Sequence, residues 1–265
     1  MNNYEFCAQW IVDNSRGRNP RVLDFGCGAG HIVEELRRRG VDAFGCDVFY
    51  EGGDYAPCVN PKFVGGVIKR MESGVIPFPD RYFDSVVSNQ VLEHVESLDQ
   101  GLSEICRVMR PGGVVLSLFP DKGVWREGHC GVPFLHWFPK GSRSRVYFAA
   151  AFRGLGFGHY KGNKSVMSWS QEFCHWLDKW TWYRSPGEIR VAFGKHFAET
   201  QPLEDYWLRA RFGSRHPIVN YLPRVVQRFV VRKLGGRVFA SYKPVEEETR
   251  LATKSLLRKG TVDKP

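Results

Sequence analysis

Asp24, glycines at positions 26, 28 and 30, and Asp47 form the densest chemical signal in this 265-residue chain. Glycine permits backbone angles closed to other residues and lets a ligand lie directly against the main chain. A strand that runs into such a turn and then a helix is the nucleotide-binding corner of doubly wound folds. Two details narrow the ligand. A dinucleotide fingerprint would place its third glycine at position 31, where this chain has His31. Asp24, just before the turn, would repel a pyrophosphate. Asp47 follows Gly26 by 21 residues, the spacing of a carboxylate that accepts from both ribose hydroxyls. An adenosine ligand with a cation in place of the phosphates satisfies all three, and S-adenosylmethionine carries both a sulfonium and an ammonium.

The elements that must hold these residues are legible as an alternation. Arg21–Phe25 reads as a short buried strand, and HIVEELRRRG as a helix stopped at Gly40, with Ile32, Val33 and Leu36 on one side. A strand over Asp42–Cys46 ends at Asp47. A Gly/Pro-rich stretch over 49–66 separates it from a strand over FDSVVSN, 83–89. Ser97 with Gln100 resembles a capping box, opening a helix that Leu98, Leu102, Ile105 and Met109 line and that Pro111-Gly112-Gly113 ends. VVLSLFP (114–120) is the next strand. Alternation then stops. GHCGVPFLHWFPKG (128–141) reads as an ordered aromatic loop and SWSQEFCHWLDKW (168–180) as a helix. EIRVAFGKHF reads as a helix, AETQPL as the start of a strand, and RVFASYKP as a last strand.

VLDFGCGAG, GCDVF, IPFPDRYFDSVVSNQVLEHV and RVMRPGGVVLSLFP, in that order across about 20–120, resemble the class I S-adenosylmethionine-dependent methyltransferases; RVFASYKP adds weaker support. The resemblance implies an α/β fold, a doubly wound and mostly parallel seven-stranded sheet whose last strand is antiparallel. It places Asp24, Gly26, Gly28 and Gly30 at the methionine end, Asp47 at the ribose, and Asn89 with Gln90 beneath the methionine, with Cys27 and Val48 beside them. Many relatives have an acidic or amide residue near 70–71 for the adenine amino group. Here Arg70-Met71 stand there, and Met71 is expected to pack on the adenine face instead. The expected division is a cofactor part over 1–120, an aromatic-rich insertion or lid over 121–185 after the fifth strand, the end of the core with a basic helical segment over 186–245, and a polar tail over 246–265.

Methyl transfer needs alignment and, for a hydroxyl acceptor, a base. His94 follows the strand whose end should face the methyl group, so it is the first candidate. His129 and His136 in the aromatic loop are the second. Together with Cys130 they lack a zinc-type spacing, so no metal site is expected.

Composition points the same way. The seven cysteines are scattered and never in C-x-x-C, as suits free thiols in a reducing compartment. There is no run of apolar residues long enough to cross a membrane, and MNNYEFCAQW lacks a signal-peptide pattern, so a cytoplasmic location is expected. The net charge of +10 is uneven: residues 1–120 hold 12 basic and 16 acidic residues, leaving 26 and 12 in 121–265. Seven of the eight tryptophans also lie beyond residue 120. Nine Lys/Arg between 205 and 245 could serve RNA phosphates. Yet Ser88-Asn89-Gln90-Val91 is not the signature of adenine amino methylation, and the only Pro-Cys, at 57–58, is upstream of where cytosine carbon methylation would need it. PRVVQRFVVRKLGGR (223–237) is patterned so that Val225, Val226, Phe229, Val230 and Leu234 share a helical side, which could lie on an anionic membrane; a core-packed helix is the competing reading. The sequence therefore leads to a methyltransferase for a small molecule or saccharide, possible lipid linkage included, acting on oxygen. An RNA sugar-hydroxyl methyltransferase and a non-catalytic S-adenosylmethionine-binding protein are the alternatives.

Overall fold

The computed structural model describes residues 1–15, 19–51 and 55–245. Its seven strands are β1 (Arg21–Phe25), β2 (Asp42–Asp47), β3 (Ile68–Arg70), β4 (Phe83–Asn89), β5 (Met109–Phe119), β6 (Glu199–Pro202) and β7 (Arg237–Tyr242). They form one sheet in the order β3-β2-β1-β4-β5-β7-β6. The first five run parallel, and β7 is antiparallel to both β5 and β6. The order reverses between β1 and β4, so the crevice beyond their carboxyl ends is the place where a doubly wound sheet takes its ligand.

Helices cover both faces. They are α1 (Asn3–Asn14), α2 (His31–Arg38), α3 (Leu98–Val108), α4 (Arg143–Gly154), α5 (Val166–Trp180), α6 (Pro186–His196), α7 (Glu204–Phe212), α8 (Ile218–Tyr221) and α9 (Arg224–Leu234). The strands explain why both faces need cover. Along β5, Val114, Leu116 and Leu118 join a core that includes Phe6, Trp10 and Leu36, while Val115 and Phe119 join one with Leu102, Ile105 and Phe193. A strand buried on both sides reads as a continuous apolar run, which is the form of VVLSLF. A third core lies apart from these: Cys130, Leu135, Ala149, Trp169, Cys174 and Leu177 pack together within the segment between β5 and β6.

The strands over 21–25 and 83–89 match the sequence reading. The helix over 98–108 ends one residue earlier than expected: Met109 opens β5, and Pro111-Gly112-Gly113 lie inside that strand where the β4–β5 register shifts. Short β3, and the helices α1, α4, α7 and α8, carried no sequence reading. The polar tail read from Glu246 lies outside the described residues.

Candidate active site

The glycine turn is shaped by its neighbours. Gly26 N–H and Cys27 N–H both donate to the Cys46 carbonyl, at 2.8 and 3.1 Å, which draws the turn against the end of β2. Gly26 has φ +74°, and a Cβ there would sit 2.4 Å from the Val91 methyls. Gly28 has φ +51°. Its N–H donates to Asp47 Oδ2 at 2.8 Å, while Asp47 Oδ1 accepts from Phe49 N–H at 2.8 Å. Each carboxylate oxygen keeps a further lone pair for a ligand hydroxyl. Asp24 is fully buried; desolvation, then the nearby Asp47 charge, raises its pKa to about 8.

These residues line a cleft of about 1640 Å³. Single ligand sites run to about 300–1,000 Å³, so this one has room for a cofactor and an acceptor together. Asp24, Gly26, Cys27, Gly28, Asp47, Val48, Met71, Asn89 and Gln90 all reach it. Gly30 does not; it starts α2 at φ +84°, where a Cβ would meet Ile68 at 2.6 Å. Asn89 Oδ1 is buried in the cleft wall with no hydrogen-bond partner, which suits an acceptor for an ammonium. Gln90 sits at φ +58°, a left-handed conformation uncommon for such a residue. Arg70 turns away from the cleft and donates to the Val48 carbonyl at 2.8 Å, leaving Met71 as the wall residue.

The three sequence-nominated histidines part company. His94 and His129 face each other across the same cleft, Nε2 to Nε2 at 3.1 Å. His136 is buried against Tyr183, ring centroids 4.7 Å apart, and does not reach the cleft. His94 sits just beyond β4, in a loop that Arg184 clamps by donating to the carbonyls of Leu92, Val95 and Glu96. Its Nδ1–H donates to the Trp180 carbonyl at 2.6 Å, at the C-terminus of α5. His129 tops a tight loop, and its Nδ1 meets Glu127 Oε1 at 2.7 Å. Glu127 also accepts from Cys130 N–H at 2.6 Å and from the Tyr183 hydroxyl at 2.5 Å.

Charge follows from this wiring. Desolvation works against the Glu127 carboxylate, but His129, the Cys130 N–H and Tyr183 together lower its pKa to about 2. Burial depresses His129, and the Glu127 carboxylate more than reverses it, so that its pKa is raised. His94 has no such partner; burial first, then the His129 charge, lowers it to about 4. Glu93 is buried beside them, and desolvation raises it to about 7.

Sequence reasoning missed Glu93, Glu127, Tyr183 and Tyr50; Trp169, Phe173, Trp176, Trp180 and Trp182, which line the cleft with Tyr50, belong to the aromatic segment it singled out over 121–185. An acid adjoining His94 and another two positions before His129 were the available signals.

Residues 23–117 match the family described as a methyltransferase domain. Over these residues the chain carries a methyltransferase core. That core is 35% identical over 99 residues to the mitochondrial ubiquinone biosynthesis O-methyltransferase of Homo sapiens, covering 35% of this chain and 27% of that protein. It is 36% identical over 97 residues to the malonyl-[acyl-carrier protein] O-methyltransferase of Yersinia pestis, covering 36% and 34%. It is 38% identical over 97 residues to the demethylmenaquinone methyltransferase of Beutenbergia cavernae, covering 35% and 38%. The chain thus matches well under half the length of each of these relatives. Their names span different acceptors, so the methyltransferase core alone does not identify what is methylated.

Proposed function

We propose that the protein transfers a methyl group from S-adenosylmethionine to a hydroxyl of a small-molecule acceptor, and that this acceptor is a saccharide carried on a lipid. The observation that carries the reading is one cleft holding two things: a cofactor corner of Asp24, the glycine turn, Asp47 and Asn89, and the facing pair His94 and His129, the latter oriented from behind by Glu127. When bound, S-adenosylmethionine supplies an electrophilic methyl group open to in-line displacement.

The chain's own residues do the rest. Asp47 accepts the ribose hydroxyls while already pinned by Gly28 and Phe49. Asp24 and Asn89 Oδ1 receive the cationic amino-acid end, and Asp24 ionises as that charge arrives. Met71 packs on the base. The facing histidines hold the acceptor hydroxyl at their Nε2 side, where its proton is lost, with Glu127 and the Trp180 carbonyl fixing both rings.

The acceptor reading rests on two surfaces. Trp176 and Trp180 offer flat apolar faces for the C–H side of sugar rings, with Lys164 and Glu172 among the polar groups around them. Outside the cleft, α9 turns Gln227 and Val231 inward and leaves Val225, Phe229 and Leu234 exposed, with Tyr221 and Ile218 of α8 exposed as well. The solvent-facing apolar side argues against the core-packed reading of this helix and for a lipid surface. RNA is a poorer fit, because much of the basic charge is already paired. Arg209, Arg224 and Arg228 converge on buried Asp205, Arg232 on Glu204, and Arg237 on Asp121.

Calorimetry with S-adenosylmethionine, its demethylated product and NAD tests the cofactor. Both sulfur ligands should bind and NAD should not; tighter NAD binding would overturn the reading.

A further inference from the structure

We propose that Glu93, His94 and His129 form a binding site for a divalent transition-metal cation, with a coordination position open to the acceptor. The inference rests on the methyltransferase reading only for its use of the acceptor; the metal site stands on its own geometry.

The hydrogen bonds fix both tautomers. A carbonyl only accepts, so His94 Nδ1 carries the proton that meets Trp180 O. Glu127 accepts from Tyr183 OH on Oε1 and from Cys130 N–H on Oε2, so in the 2.7 Å contact with the same carboxylate His129 Nδ1 is the donor and carries the proton. Both Nε2 atoms are therefore left with lone pairs, aimed at one another at 3.1 Å. Two such lone pairs repel unless a proton or a cation lies between them. Glu93 separates those two cases. It is 1% exposed, and neither of its carboxylate oxygens has a hydrogen-bond partner. A proton shared by the imidazoles leaves both oxygens unanswered at a cost of some kcal/mol. A cation answers all three groups, and their ligand atoms lie within 4.8 Å of one another.

The surroundings also fit. Metal-bound histidines commonly donate their other N–H to a carboxylate or a carbonyl, and here Glu127 and Trp180 O do so. Glu127 is in turn held by Cys130 N–H and Tyr183. Two imidazoles and one carboxylate suit zinc and its first-row neighbours rather than magnesium or calcium. His94 and His129 face the cleft while Glu93 does not, so protein closes the back of the site and the open position faces the acceptor. These are not the His129, Cys130 and His136 of the aromatic loop. Neither His136 nor the buried Cys130 reaches the cleft.

The chemistry balances without a redox partner. An acceptor hydroxyl on the cation ionises more readily, and its proton leaves to water at the open cleft. The oxygen then forms the O–CH₃ bond as the C–S bond breaks, and the sulfonium becomes a neutral thioether.

The test uses untagged protein stripped with a chelator and dialysed. Co²⁺ should bind one per chain with visible d–d bands, and Zn²⁺ should displace it. His129→Asn and Glu93→Gln should lose the bands, while His175→Ala, at an exposed position of α5, should keep them. Glu127→Gln should weaken Zn²⁺ binding by about 10–100-fold. Circular dichroism and thermal unfolding of each variant show whether it folds, and a folded Glu93→Gln suffices if His129→Asn does not fold. Absence of stoichiometric Co²⁺ or Zn²⁺ binding, or binding unchanged in folded Glu93→Gln, would overturn the site. The two readings fail separately. Methyl transfer that persists in chelator sinks the metal alone, and metal binding without S-adenosylmethionine binding sinks the methyltransferase reading alone.

Discussion

Asp47 reaches back from the end of β2 to accept the Gly28 N–H at 2.8 Å, tying the acid to the glycine turn it serves. Two features that the sequence separates by nineteen positions are one hydrogen-bonded unit. Asp47→Ala should weaken S-adenosylmethionine binding by about 1–3 kcal/mol, since two hydroxyl bonds to a carboxylate go and the turn loses an anchor. Calorimetry measures it. Asp47→Asn should recover part of the loss, because its amide oxygen can still accept from Gly28.

Asp24 makes cofactor binding depend on pH. A buried acid raised to about 8 is protonated in the free protein at neutral pH, and a cationic ligand needs it ionised. Binding therefore releases a proton, so affinity should rise with pH by up to about tenfold per unit between roughly pH 6 and 7.5. The same shift acts on stability in the opposite direction. Because the folded pKa exceeds the unfolded one, this group's contribution is complete below the ordinary carboxylate range and declines as pH rises through about 8. Calorimetry in buffers of different ionisation enthalpy counts the proton, and Asp24→Asn should remove both the slope and the release.

The histidines should separate by function. His129→Ala should lower turnover by roughly a hundredfold or more with little change in S-adenosylmethionine affinity, since it faces the acceptor side of the cleft. His136→Ala should instead lower the melting temperature through the cavity left beside Tyr183, with turnover per folded molecule retained. Equal losses of turnover in both would show that position in the cleft does not decide the matter.

Helix α9 gives a surface test. Phe229→Ser should weaken binding to phosphatidylglycerol vesicles by on the order of 1–2 kcal/mol with every arginine intact, because on the proposed lipid surface the exposed ring is the part that would enter lipid. Vesicle binding that ignores Phe229 but vanishes with salt would reduce the surface to nonspecific charge attraction.

The glycine corner was legible in the sequence because its signals are local. Strand, turn and helix lie within residues 21–38, and the requirement for glycine at 26 shows as residue type before any contact is known. The two-sided burial of β1, β4 and β5 shows most clearly in β5, where VVLSLF is apolar but for Ser117. β3 was not legible: three residues of mixed character take their strand form from pairing with Gly45, Cys46 and Asp47. Nor was the fate of the basic residues, since the acids that hold Arg232 and Arg237 lie 28 and 116 positions away.

The sequence by itself determined the glycine corner, from Asp24 through the glycines to Asp47, because backbone freedom and the sign of a charge belong to the residue at its position. Only the tertiary structure decided which histidine meets which. His94 and His129 are 35 positions apart, and the carbonyl that orients His94 is 86 positions beyond it. A lone pair is directional, and its direction is set by what holds the other side of the ring. Packing of α5 and the 126–133 loop against the end of β4 turned two isolated histidines and an unremarked Glu93 into one cluster, while an equally plausible His136 was folded away against Tyr183.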